Sequence, residues 1–144
     1  MAIEIKTEIK IKASPTKVWN LLTDIDNYSS WNPFIKSIQG KLEVGNQITV
    51  RIEPPEASGM TFKPNILAFD ETKELRWLGK FFVRGLFDGE HKFEIIDNKN
   101  GTVKFVQSEK FKGLLVPLFR NQLENNTKSG FELMNNKLKE LAEQ

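Results

Sequence analysis

His91 is the only histidine of the 144-residue chain, and the residues that share its face have side chains able to do chemistry. In "GLFDGEHKFEIID" it alternates with Phe87, Gly89, Phe93 and Ile95, and in "GTVKFVQSEKF" Gln107 and Glu109 alternate likewise with Val103, Phe105 and Phe111. The turn signal "DNKNG" between the two stretches predicts an antiparallel hairpin. Pairing Ile95 with Val103 puts His91 across from Gln107 and diagonal to Glu109, within reach of one hydrogen-bond network. An imidazole, an amide and a carboxylate on an aromatic wall must be paired with each other, with water or with a ligand. Two roles follow. Either a self-satisfied pair of His91 and Glu109 fixes the sheet, or the cluster orients the polar end of a ligand or moves a proton for it. The ligand-facing role is the expectation.

Other chemistries lack their residues. Without cysteine there is no disulfide, thiolate metal site or cysteine nucleophile, and the absence fits a reducing compartment. No G-x-S-x-G, no glycine-rich phosphate loop after a strand and no H-E-x-x-H occurs. A metal would have to use His91 with carboxylates alone, so no metal and no cofactor are expected. A reaction would therefore rest on holding a reactive chain in a bent conformation beside one acid or base.

The 21 basic and 19 acidic residues are mixed along the chain, leaving a formal charge of +2 and no single-sign face for a nucleic acid. Lys6, Lys10 and Lys12 are interrupted by Glu4 and Glu8, the mark of a solvated strand face. The first residues alternate with charge too regularly for a signal peptide, and no apolar run approaches the length of a membrane span. The reading is a single domain over 1–144, cytoplasmic, with no nucleic acid partner and no integral membrane association; nothing bears on its oligomeric state.

The elements that must position the cluster follow from periodicity. Ile3, Ile5, Ile9 and Ile11 alternate with charge as a half-buried strand. Ser14 as N-cap and Pro15 at the first helical position open a short helix with Val18, Leu21, Leu22 and Ile25 on its apolar side, and a second short turn follows Asp24. "YSSWNPFIKSI" then reads as a loop of unusual apolar weight. Trp31, Pro33 and Phe34 either close the rim of an apolar interior or pack beneath the short helices; both readings stand for Trp31, and packing is preferred for Phe34.

Strands recur at "NQITVRIEP", at "GMTFKPNILAFD" with a bulge or edge near Pro64, at "KELRWLGK" and in the hairpin, giving five or six antiparallel strands after the helices. From Pro117 the pattern turns helical. A helix from about Arg120 to Leu141 is expected to place Leu123, Phe131, Met134 and Leu138 inward and Lys128, Lys137 and Lys139 in solvent. Gly130 lies inside it, to widen a pocket or let the sheet come close. "FKGLLVPLF" is a gate, a membrane-touching patch or, preferably, a hydrophobic staple at the helix start. This order is α+β, and a curved antiparallel sheet holding one helix leaves a cavity.

"IKASPTKVWNLLTDIDNYSSWNPFI", "GEHKFEI", "SEKFKGLLVPL" and "FELMNNKLKEL" resemble, in order and over nearly the whole chain, the polyketide cyclase/dehydrase and lipid-transport group (SRPBCC) of the START-like, helix-grip superfamily. The resemblance implies a sheet wrapped around a long C-terminal helix, with a pocket between them for a hydrophobic or amphipathic small molecule. On that frame the pocket candidates are Trp31, Phe34, Met60, Phe62, Trp77, Phe87, His91, Phe93, Gln107, Glu109, Phe111, Leu123, Phe131 and Met134. The expected function is binding or carriage of a lipid, polyketide-like or aromatic metabolite; the alternative is a cyclase or dehydratase using the same pocket.

Overall fold

The computed structural model describes residues 2–81 and 85–144. Strand β1 (Ala2–Ile11) buries Ile3, Ile5 and Ile11, and Thr7 takes the inward place among them. Helix α1 (Pro15–Thr23) starts as its sequence dictates: the Ser14 hydroxyl accepts the Lys17 N–H at 3.1 Å. Val18, Trp19 and Leu22 are its buried residues, while Leu21 and Ile25 pack on the core only partly buried.

A 3₁₀ turn (Ile25–Asn27) leads into the one-turn helix α2 (Tyr28–Trp31). Tyr28 is fully buried and donates its phenol hydrogen to the Leu22 carbonyl. Burial, and secondarily the negative charge of Asp24, push its ionisation far above the ordinary phenol range.

The expected aromatic loop is ordered secondary structure. Its first four residues are α2 and its last four begin strand β2 (Ile35–Gln39). Asn32 makes the junction, its side-chain oxygen accepting the N–H groups of Phe34 and Ile35 at 2.9 and 2.8 Å.

β3 (Thr49–Ile52) follows, and the single strand expected around Pro64 is two. β4 (Met60–Phe62) and β5 (Asn65–Asp70) belong to different sheets, because Pro64 has no N–H to carry one ladder through. With β6 (Glu74–Phe81), β7 (Phe87–Asp97) and β8 (Val103–Lys112), the described residues form a five-stranded sheet in the order β1-β8-β7-β6-β5 and a three-stranded sheet β2-β3-β4. Seven strands thus follow the first helix, rather than five or six.

The C-terminal helical stretch begins earlier than expected and is not uniform. It runs as a 3₁₀ turn (Val116–Phe119), a short α3 (Arg120–Gln122), a π segment (Leu123–Thr127) and α4 (Lys128–Ala142). Leu123, Phe131, Met134 and Leu138 are buried; Lys128 is exposed, and Lys137 and Lys139 are half-buried. Gly130 is buried too, but its neighbour is neither the sheet nor a void. A β-carbon there would lie 2.8 Å from Cε1 of Phe34, whose ring occupies the space. The sheets and this helix form an α+β helix-grip fold, and the cavity lies between them.

Candidate functional site

The β7–β8 hairpin differs in register from the pairing expected of its turn. Asn98 N–H bonds the Thr102 carbonyl at 3.1 Å and Lys99 takes a positive φ of 63°, which tightens the turn so that pairing begins at Asp97 and Val103. Ile95 therefore faces Phe105, and His91 stands directly opposite Glu109 with Gln107 on the diagonal. The two-residue shift keeps parity, so all three side chains still point to one face.

There they form a directed chain. His91 Nδ1 is 3.2 Å from Glu109 Oε1, and His91 Nε2 is 3.0 Å from Gln107 Oε1. Gln107 Nε2 donates to Asn135 Oδ1 at 2.8 Å, Asn135 Nδ2 donates to the Thr7 hydroxyl at 2.8 Å, and that hydroxyl donates to the Gln107 backbone carbonyl at 2.9 Å. The last acceptor sets the direction of every bond. A carbonyl only accepts, so the Thr7 hydrogen is committed, both amides are oriented, and His91 Nε2 must carry a hydrogen to reach Gln107 Oε1. A weak contact from Gln107 Nε2 to the Phe131 carbonyl agrees with this orientation. Thr7 and Asn135 were not singled out in the sequence, although Thr7 fills the gap in the inward series Ile3, Ile5, Ile9, Ile11 and Asn135 follows Phe131 by one helical turn.

Aromatic rings enclose the imidazole: Phe93 stacks on it at 4.5 Å, with Phe131 at 4.9 Å and Trp77 at 5.3 Å. The carboxylate sits over Gly89, where a β-carbon would collide with Glu109 Oε2. Gly89 is thus what allows an acidic side chain to lie flat on this wall. Trp77 Nε1 is buried without a hydrogen-bond acceptor.

His91 and Glu109 line a cavity of about 140 Å³. Its five-stranded wall adds Trp77, Phe87 and Phe111; the smaller sheet and its approaches supply Phe34, Ile35, Ile52, Met60 and Phe62; the helical segment supplies Phe119, Gln122, Leu123 and Thr127. The remaining lining residues, Pro54 and Ser58, come from the loop between β3 and β4. The π segment, with its extra residue per turn, presents Leu123 and Thr127 together.

Five of the expected pocket residues lie elsewhere. Trp31 is half-buried and packs edge-on against Tyr28 at 5.4 Å, because α2 turns it towards the helices instead of the rim. Phe93, Gln107, Phe131 and Met134 are buried behind the wall as its support. Phe34, for which packing was preferred, both packs on Phe131 and lines the cavity.

The model of the family described as polyketide cyclase/dehydrase and lipid transport matches residues 2–143. The chain belongs to that family. As a member of the polyketide cyclase/dehydrase and lipid transport family, it is similar in structure to the Zhui aromatase/cyclase from Streptomyces sp. R1128, with a TM-score of 0.80 at 12% identity over 99% of this chain and 94% of that one. It is also similar to a norcoclaurine synthase point mutant from Thalictrum flavum in complex with a transition-state analogue, with a TM-score of 0.75 at 12% identity over 99% and 94%. One half of the di-domain aromatase/cyclase BexL matches at a TM-score of 0.79 and 9% identity, over 99% of this chain and 50% of that one. At such identities the likeness establishes the fold. No curated protein sequence matches the chain.

Proposed function

We propose that this family member binds a compact, largely apolar small molecule in the cavity, with the ligand's polar end at Glu109. The observation that carries the reading is the composition of the wall: mostly aromatic and aliphatic side chains, with Ser58, Gln122 and Thr127 as neutral polar members and one buried carboxylate beside one buried imidazole. Apolar walls with a few placed polar groups are what small-molecule sites require. Size narrows the ligand. An engineered apolar cavity of about 150 Å³ accepts benzene, so 140 Å³ suits a ring-sized body and a long acyl chain would have to enlarge it.

Carriage is favoured over turnover because no nucleophile with an activating base lines the cavity among the described residues. The cyclase or dehydratase reading retains one specific support, the imidazole 3.2 Å from a carboxylate on the cavity wall, an arrangement suited to moving a proton. Organic extraction of the purified protein followed by mass spectrometry tests the binding reading. A small, largely apolar compound recovered near one equivalent is expected, and failure of the protein to take up either toluene or phenol from buffer would refute it.

A further inference from the structure

We infer that the cavity selects a neutral ligand that donates a hydroxyl hydrogen bond to Glu109 Oε2, and that it rejects carboxylate anions. The inference rests on the cavity being the ligand site, and it starts from the directed chain. His91 Nε2 carries a hydrogen, so an unprotonated Nδ1 and an ionised Glu109 Oε1, 3.2 Å apart, would be two electron-rich atoms in contact unless one of the two carries a further proton. On the nitrogen that proton makes an ion pair; on the oxygen it makes a neutral pair. Both arrangements have zero net charge, and in both Oε2 is left without a proton, as a carboxylate oxygen or as the carbonyl oxygen of the acid. Oε2 is therefore an acceptor in either state.

Its surroundings leave that capacity for a ligand. Among the described residues no hydrogen bond from the protein ends on Oε2, the side chain is 8% exposed, and Gly89 provides the space in which the oxygen lies. No Lys or Arg among the described residues lines the cavity, and in either protonation state the imidazole and its carboxylate sum to zero charge. An anionic ligand would thus meet an acceptor with no counter-charge, and a cation would leave water for a wall of zero net charge; burying either ion uncompensated is costly. A neutral donor on a ring-sized body, such as a phenolic or enolic hydroxyl, meets both the polarity and the volume.

Toluene, phenol, anisole and benzoate test this, each titrated calorimetrically into the intact protein near neutral pH. The expected result is phenol about tenfold tighter than anisole or toluene, roughly 1.4 kcal/mol, with benzoate not binding. In Glu109→Leu the margin of phenol over toluene should fall to about twofold or less. Phenol and anisole binding equally to the unaltered protein, or benzoate binding best, overturns the inference while leaving the binding reading in place. If none of the four ligands binds, the binding reading itself falls. The four-ligand comparison on the unaltered protein decides the matter even if Glu109→Leu does not fold.

Discussion

The Thr7 hydroxyl accepts a hydrogen bond from the Asn135 side-chain amide at 2.8 Å, joining the first strand to the last helix across 128 residues of sequence. Both side chains are buried, and this contact is a link in the chain that begins at Glu109 on the cavity wall and closes on the Gln107 carbonyl. Asn135→Leu removes the acceptor for Gln107 Nε2 and leaves only its long contact to the Phe131 carbonyl. A loss of about 1–3 kcal/mol is expected, from the unpaired amide. Urea unfolding measures it, and an unchanged midpoint would show that the chain bears no strain of folding.

Gly130→Ala should destabilise, against helix propensity. In an open helix the change gains up to about 1 kcal/mol, but here the new β-carbon would meet the Phe34 ring, with 3.1 Å to Cγ. Overpacking of this kind costs about 1–3 kcal/mol. The double variant Gly130→Ala with Phe34→Leu should recover part of that loss, and a double-mutant cycle with no coupling would contradict the packing account.

Gly89→Ala tests how the carboxylate is seated. Its β-carbon would displace Oε2 and approach Glu109 Cδ to 3.3 Å. Affinity for phenol should fall roughly tenfold through loss of that acceptor, a ΔΔG of about 1.4 kcal/mol, while an unaltered affinity for toluene reports that the wall itself has not moved.

Tyr28 makes stability depend on alkaline pH. Its folded ionisation lies above the unfolded value near 10, so the folded protein holds a proton that the unfolded chain releases. The contribution is complete below the unfolded value and is lost progressively as pH rises beyond it. Tyr28→Phe should cost about 1 kcal/mol at neutral pH through the lost bond to Leu22, yet flatten the decline above pH ~10. Thermal melts across pH 8–11 read both effects.

Trp31→Ala should lower stability by about 1–2 kcal/mol through its lost contact with Tyr28 and leave toluene uptake unaltered. A selective loss of uptake would return Trp31 to the rim.

The inward parity of His91, Gln107 and Glu109 was legible because a strand's period of two survives any even shift of register. The register was not, because Lys99 in a left-handed conformation and the Asn98 to Thr102 bond set the turn, and side-chain alternation does not encode them. β2 was hidden by Trp31, Pro33 and Phe34, whose apolar bulk resembles a covering loop, while the decisive residue was Asn32, capping two backbone donors. Gln122 and Thr127 escaped for another reason. A π segment breaks the 3.6-residue rhythm by which inward helical positions are recognised.

The break at Pro64 has a mechanical consequence. Among the described residues the two sheets share no continuous ladder, and their direct backbone bonds cluster at one corner, Ile48 to Pro64, Gly45 to Ile66 and Ile66 to Asn46. Leaves joined along one edge can part by small degrees without breaking a bond inside either leaf, and the resistance is the apolar surface uncovered, about 1 kcal/mol for each ~40 Å². His91, Glu109 and Gly89 all belong to one leaf and keep their mutual geometry when the other tilts. On the binding proposed above, a bulkier guest would thus meet an elastic, graded penalty, whereas a guest of the wrong charge would meet the same barrier at every opening.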